Sequence, residues 1–569
     1  MNESRVAASF RNRTWLLVMI FITVTALLLW RAFYLQILNK DFLRNHGDAR
    51  SLRTVTIPAH RGMITDRHNE PLAISTPVDS IWVTPREVLE EEEKLPQLAA
   101  LLDMPAAELQ QMLLDRTGRE FLYLKRHISP ELAVSVNDLA MRGVNLQREY
   151  KRYYPAGEVT AHLLGFTNVD DSGQEGIELA FDHWLRGTPG EKRVLQDRLG
   201  RVVQNVESIR PADPGRDLHL SIDRRVQYLA YRELKSAVQF YSARGGSLVM
   251  LDAGTGEVMA MAVQPAYNPN NRSGLKSENY RNRAVTDVFE PGSTVKPFTI
   301  AAALMSGMYS TESQIATGPG HVRVSDHTIR DIRNYGTLDP AGIIKKSSNV
   351  GASKIALSLG PKPLWNLYSD LGFGLPTGSG FPGESAGVLN SYHNWSEVEL
   401  ATIAFGYGIS MSALHLAQAY AAIANDGVLQ PISLQRQDEP AAGRRIMPAA
   451  VARSIRSMLE EVVSEGGTGR RAGVPGYLVA GKTGTVRKST RGGYAEDRYL
   501  SLFAGMAPSS DPDLVMVVVI DEPQGEEYYG GQVAAPVFSK VMKGALRILN
   551  IPPDDLPSFN RNSLMAVKD

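Results

Sequence analysis

The feature that most limits what this chain can become is a single run near its start. Residues Trp15–Trp30 read WLLVMIFITVTALLLW without a charge, and the apolar character resumes after Arg31 as AFYLQIL to Leu38. As a helix the uncharged part spans ~24 Å and the whole stretch ~36 Å, against a hydrocarbon core of ~30 Å. Arg31 then lies near one end, where its head can snorkel toward the headgroups. Arg5, Arg11 and Arg13 precede the run and predict a cytoplasmic N-terminus. A cleavable leader needs small residues at its end, whereas Leu27-Leu28-Leu29-Trp30-Arg31 stands there. The reading is one uncleaved anchor, with nearly everything after it outside the cytoplasm.

Composition matters mainly for what it excludes. With 569 residues the chain is long enough for two or more domains. Lys+Arg and Asp+Glu are both 61, so no overall positive charge draws the chain to nucleic acid. There is no cysteine. A disulfide scaffold, a thiol nucleophile and a thiolate metal site are therefore excluded.

Along the chain, Arg53–Pro58 (RTVTIP) alternates like a strand and runs into the turn-rich stretch Pro58–Ala73. Glu90–Glu93 is an acidic run in a helical pattern, expected to be a solvated face. Arg148–Tyr154 (REYKRYY) interleaves basic and aromatic residues and is expected as an exposed strand, not a nucleic-acid patch. RPADPGRD around Pro211, Pro214 and Gly215 is the best linker signal. The expected divisions are a cytoplasmic tail (1–14), an anchor (15–38), an N-terminal module (39–215), a second domain (216–551) and a loose tail (552–569). In the second domain, Gly245–Val263 has a hairpin pattern. Tyr477–Ala480, Tyr499–Ala504 and Leu514–Ile520 read as strands, and Thr299–Met305 and Leu414–Asn425 as helices. This pattern predicts an α+β fold, an antiparallel sheet built from the two ends of the domain with helices from its middle.

Two motif sets compete in that domain. Gly476 to Thr483 (GYLVAGKT) fits the P-loop pattern, and Val515–Glu522 imitates a strand ending in magnesium-binding acids. Yet a P-loop must turn from a strand into a helix, whereas Tyr-Leu-Val-Ala looks like the strand itself and a polar loop follows. The other set is Ser-x-x-Lys, Ser-x-Asn and Lys-Thr-Gly. Ser293-Thr-Val-Lys296 opens the apolar helix PFTIAAALM, so hydroxyl and amine share one helix face beside free backbone amides. A buried lysine there can lose its charge and act as a base. Ser347-Ser348-Asn349 stands just before or at the start of another helix. Lys482-Thr483-Gly484-Thr485 is expected to end the YLVA strand, where its cation and hydroxyls suit a carboxylate. Decoys exist: Ser273-Gly-Leu-Lys276 also fits the first motif, and Ser135, Ser277 and Ser558 each begin an S-x-N.

These three motifs resemble the active-site motifs of penicillin-binding proteins and serine β-lactamases. The anchor, Arg61-Gly-Met-Ile-Thr-Asp66-Arg67 and Gly173-Gln-Glu-Gly176-Ile-Glu178 resemble the N-terminal module of class B penicillin-binding proteins. IPAHRGMITDR, FEPGSTVKPF and YYGGQVAAPVF are the most telling runs and point to the septal branch of Gram-negative bacteria. Asn69 stands where Gly is frequent, and Val486 stands where Ala is usual, a change expected at the pocket lip. The resemblance implies an elongated pedestal and dimerisation module followed by a transpeptidase domain, anchored in the inner membrane with the catalytic part periplasmic. It implies Ser293 as nucleophile, Lys296 as base, Ser347 as proton relay and Asn349 as holder of substrate amide and lysine. Lys482, Thr483, Gly484 and Thr485 would bind the terminal carboxylate, and the amides of Ser293 and Thr485 would form the oxyanion hole. No cofactor and no metal are implied. The implied partners are peptidoglycan stem peptides on a lipid-linked precursor, β-lactams, and division-machinery membrane proteins including an FtsW-type glycosyltransferase, with no nucleic acid. An elongation-type relative, a β-lactamase-like hydrolase, a β-lactam sensor, an idle scaffold and the P-loop ATPase stand as alternatives.

Overall fold

A computed structural model describes residues 3–42, 52–196, 202–274, 276–490 and 493–555. Most of the tail expected to be loose, Ser558 included, lies outside the described residues. Helix Glu3–Phe33 continues as a π-turn through Leu38, so it begins well before Trp15. Within it, Arg13–Leu38 is the one helix among the described residues long and apolar enough to cross a membrane. The hydroxyl of Thr23 donates to the Met19 carbonyl (2.7 Å) and so satisfies itself within the helix, as an apolar surrounding requires.

The chain divides into two compact units that interleave instead of meeting at one cut. One comprises Met1–His60, Pro77–Tyr150 and Gly187–Pro214; the other comprises Arg61–Thr76, Lys151–Arg186 and Gly215–Asp569. In the first unit, RTVTIP forms strand Leu52–Ile57, antiparallel to Gly190–Gln196, which pairs in turn with Val202–Arg210. Helices Leu95–Leu102, Ala106–Leu114 and Pro130–Asp138 pack a small core around Ile81, Leu98 and Leu109. The Glu90–Glu93 run does not lie on one helix. It falls between helix Pro85–Leu89 and a 3₁₀ turn, where Glu90 pairs with Arg142 and Glu91 with Lys94.

The second unit carries a five-stranded antiparallel sheet. Its strand order is Val258–Gln264, Gly245–Asp252, Leu514–Asp521, Gly493–Ala507, Ala480–Thr490, so the expected end-to-end construction holds. Period-two alternation explains why these strands are apolar throughout. Val515, Val517 and Val519 face one core, shared with Phe298, Leu416 and Tyr420. Leu514, Met516, Val518 and Ile520 face the other, which is covered by helices Arg224–Phe240 and Gly530–Ile548. Both faces are buried, as in a three-layer domain.

Two local expectations are corrected here. Tyr477–Val479 is not strand, because its polar groups are used elsewhere. The Tyr477 hydroxyl donates to the Ile551 carbonyl (2.7 Å), and the Leu478 amide donates to Asp554 (2.8 Å). The ladder starts only at Ala480, opposite Met506, so Lys482 sits inside the strand. This removes the P-loop alternative: Lys482 lies in an antiparallel edge strand, not in a strand-to-helix turn. REYKRYY is strand as far as Tyr153, but it is not an exposed stretch throughout. Arg152 and Tyr154, two positions apart, are both buried. Arg152 Nε reaches Glu178 at 2.6 Å, and the Tyr154 hydroxyl accepts the Thr167 amide at 3.0 Å.

Arg61-Gly-Met-Ile-Thr-Asp66-Arg67 and Gly173–Glu178 belong to this same unit. Arg61 and Glu178 are fully buried and joined through both Nε (2.8 Å) and Nη2 (2.7 Å), while Arg61 Nη1 reaches Asp182 (2.8 Å). Asn69 has φ 64°, a left-handed geometry that asparagine tolerates.

Candidate active site

Ser293 lies in a 3₁₀ turn, Gly292–Val295, that feeds helix Lys296–Met305. Residues i and i+3 eclipse in a 3₁₀ turn, which places Ser293 and Lys296 on one side more strictly than an α-turn would. Pro297 fits the helix's first turn, where its missing N–H costs nothing. Gly292 has φ 53°, and a Cβ there would come within 2.5 Å of Val486 Cγ2. Val486 is thus buried beneath the turn and does not stand on the cavity lip as expected.

Ser347 caps helix Pro340–Lys346 at φ 59°, a left-handed conformation that costs a serine roughly 1–3 kcal/mol. Ser348 then caps the next helix through Gly351 N–H (2.9 Å), and Asn349 is that helix's first residue. The tight reversal presents Ser347 and Asn349 to one point. That point is the Lys296 amine, which donates to the Ser347 carbonyl (2.5 Å), Ser347 Oγ (3.1 Å) and Asn349 Oδ1 (2.8 Å). Lys482 approaches the same Ser347 Oγ from the sheet, also at 3.1 Å. Thr483 Oγ1 donates to Thr468 Oγ1 (2.9 Å), and Thr485 Oγ1 accepts the Gly530 amide (2.9 Å). Gly484 brings strand and helix together: a Cβ on Gly530 would lie 2.2 Å from its carbonyl oxygen.

Both lysines are fully buried. Burial, reinforced by the neighbouring charge of Lys482 and opposed by Asp331, holds the Lys296 amine well below the usual lysine range. Burial pushes Lys482 down to about 7. Burial thus makes the Lys296 amine give up its proton more readily than an ordinary lysine, and Lys482 is near its own midpoint at neutral pH.

Ser293, Ser347, Asn349, Thr483 and Thr485 line a cavity of about 550 Å³, with Lys296, Lys482 and Gly484 set into its walls. The decoys are elsewhere. Ser273 sits in an exposed turn, bonded to Asn271 (2.8 Å), and Ser135 lies on an exposed helix face. Glu384 is taken up by Thr377 and Ser379, and Glu397 faces Ser325; neither lines the cavity. Sequence reading missed Asp331, Thr468, Tyr529 and Gly530. Of these only Tyr529 and Gly530 carried a signal, the YYGG run quoted above. Asp331 and Thr468 belong to no motif.

A serine at a helix start, a Ser-x-Asn turn and a Lys-Thr-Gly edge strand thus surround one cleft, the set of groups that a serine acyl transfer calls for. Residues 246–543, more than half of the chain, match the family described as Penicillin binding protein transpeptidase domain. Residues 56–220 match the Penicillin-binding Protein dimerisation domain. The chain belongs to the class B penicillin-binding proteins. It is 44% identical over 545 residues (95% of this chain, 92% of the relative) to the protein named Peptidoglycan D,D-transpeptidase FtsI of Escherichia coli. It is 45% identical over 547 residues (96% and 97%) to the Probable peptidoglycan D,D-transpeptidase PbpC of Pseudomonas aeruginosa. A solved structure of the transpeptidase domain of Burkholderia pseudomallei penicillin-binding protein 3 superposes with TM-score 0.55 at 42% identity, covering 59% of this chain and 98% of that one.

Proposed function

We propose that this chain is a peptidoglycan D,D-transpeptidase working through an acyl-enzyme on Ser293. The observation that supports this most is the buried amine of Lys296, its proton affinity lowered by burial, held by Ser347 and Asn349 beside the Ser293 turn. In this reading Ser293 Oγ attacks the carbonyl of a D-Ala–D-Ala bond while Lys296 takes its proton. The proton passes through Ser347 to the leaving D-Ala nitrogen as the C–N bond breaks. An acceptor amine then attacks the ester, gives its proton to the lysine, and Ser293 leaves with a proton restored. Lys482, Thr483 and Thr485 hold the donor's terminal carboxylate, with Gly484 leaving the strand open to close approach. The amides of Ser293 and Thr485 face the developing oxyanion, where losing one donor costs ~10²–10³ in rate.

β-Lactams acylate the same serine as mimics of the donor. The test is covalent labelling of the full chain by labelled penicillin, with the adduct mapped to Ser293. Ser293→Ala abolishes labelling and Ser273→Ala leaves it intact; labelling that survives the first change removes the reading.

The names of the relatives and the Arg-rich N-terminus support a septal, inner-membrane enzyme with a periplasmic catalytic unit, acting beside division-machinery membrane proteins and an FtsW-type glycosyltransferase. A reporter fused after Asp569 is active only outside the cytoplasm; activity inside would reverse the orientation.

A further inference from the structure

Asp331 is placed by a hairpin that the three motifs do not include. Strands His321–Val324 and His327–Arg330 pair antiparallel, and Val324 and Ile329 anchor them in the core. The Asp331 amide donates to the Gly320 carbonyl (2.9 Å), fixing the residue where it leaves the hairpin. Its carboxylate then meets the start of helix Asn349–Leu359. One oxygen accepts the amides of Asn349 (2.6 Å) and Val350 (3.0 Å), and the other accepts the hydroxyl of the buried Ser348 (2.6 Å). The adjacent Arg330 carbonyl accepts Asn349 Nδ2 (3.2 Å), which leaves Oδ1 of that side chain turned to Lys296.

The accounting of this helix start is complete. A helix begins with amides that have no partner within it. Here Asp331 takes those of Asn349 and Val350, and Ser348 Oγ takes that of Gly351 (2.9 Å). An ordinary cap would be supplied by the neighbouring sequence alone. This one is supplied largely from a distant hairpin, and the turn it secures carries Ser347 in a strained conformation. Asp331 is also the one carboxylate lining the cavity among the described residues. It therefore brings the only acidic charge there to set against Lys296 and Lys482.

We propose that Asp331 is a positioning residue of the acyl transfer: its carboxylate holds the Ser347-Ser348-Asn349 turn against Lys296 and keeps a negative charge across from that amine. The proposal rests on the acyl-transfer reading above. The charged groups facing Lys296 are Lys482 from the edge strand and Asp331 from the hairpin, and they act on its proton affinity with opposite signs.

Two variants separate geometry from charge. Asp331→Asn keeps the shape and loses the charge; Asp331→Glu keeps the charge and displaces the oxygens. Stopped-flow acylation of the full chain in detergent by a chromogenic cephalosporin, followed across pH, reads both. Each variant is expected to acylate ~10²-fold more slowly, the loss associated with a misplacement of about 1 Å in a reacting constellation. In Asp331→Asn the acid limb also moves to lower pH, because the attraction that favours the charged lysine is gone. In Asp331→Glu the limb stays near its original position. A merely structural residue would scale the profile without moving it. Unchanged rates in both variants, or an unmoved acid limb in Asp331→Asn, overturn the proposal. Failure of the unaltered chain to acylate at Ser293 instead removes the reading beneath it.

Discussion

Replacing Lys482 by methionine, a side chain of similar length without charge, tests how the two buried amines divide their work. Each lies 3.1 Å from Ser347 Oγ, so they are at most about 6 Å apart. Two unit charges at that distance repel by ~0.7 kcal/mol at the dielectric of water and ~2.7 kcal/mol at an effective value of 20. That repulsion, added to burial, holds the proton affinity of Lys296 down for as long as Lys482 keeps its charge. The proposed acyl transfer requires Lys296 to give up its proton while Lys482 keeps its own. The working form therefore has a neutral base beside a cation that receives a carboxylate. In the unaltered chain the acylation constant for the free enzyme rises with pH as Lys296 loses its proton. It then falls through about 7 as Lys482 loses its own. In Lys482→Met the rate drops, the alkaline limb disappears, and the acid limb moves to higher pH. Stopped-flow acylation by a carboxylate-bearing chromogenic cephalosporin from pH 4 to 10 measures all three. An acid limb that stays put or moves down would refute the charge coupling.

Two further outcomes follow from other residues. Glu178→Gln leaves Arg61 and Arg152 buried with their shared partner uncharged, and should destabilise the second unit by about 3–5 kcal/mol, read as a lower urea midpoint. A chromogenic β-lactam should give a stoichiometric burst and then turn over ~10²–10⁴-fold more slowly than it acylates, because among the described residues the one carboxylate lining the cavity, Asp331, is already engaged. Sustained rapid hydrolysis without an adduct in mass spectra would make the chain a β-lactamase.

The candidate site residues were legible because sequence marks their surroundings: a proline-opened helix, a serine cap, a glycine-bearing strand. What failed to show was whatever depends on distant chain segments. Asp331 has no motif around it, and only the fold carries it to the helix of Asn349. Arg152 looked solvent-facing because its neighbours are basic and aromatic, and its partner Glu178 lies in another stretch altogether. The strand of Lys482 was placed too early because Tyr477–Val479 is as apolar as a strand. Bonds to Ile551 and Asp554 near the far end of the chain decide otherwise. Val486 was assigned to the lip because sequence gives its position along the strand, not the direction in which it packs.

Two of the places where the second unit buries cations are treated oppositely. Around Arg61 and Arg152 the chain supplies Glu178 and Asp182 at 2.6–2.8 Å. Burial works against the Arg61 charge, but Glu178 and Asp182 more than offset it, and its proton is held more tightly than usual. Such a cluster binds chain segments together. Around Lys296 and Lys482 the chain brings a single carboxylate, and Asp331 spends its oxygens on Ser348 and two backbone amides. The lysines are left short of countercharge, so burial depresses both. Arginine, whose charge is not given up in a protein, suits the first task; lysine, whose proton affinity shifts readily on burial, suits the second. In the proposed acyl transfer, the same shortage of acids among the described residues that would free Lys296 to take the Ser293 proton leaves only the engaged Asp331 carboxylate near the ester. On that proposal base activation and a long-lived ester would be one property of the site, and an acceptor amine, itself a nucleophile, would resolve it.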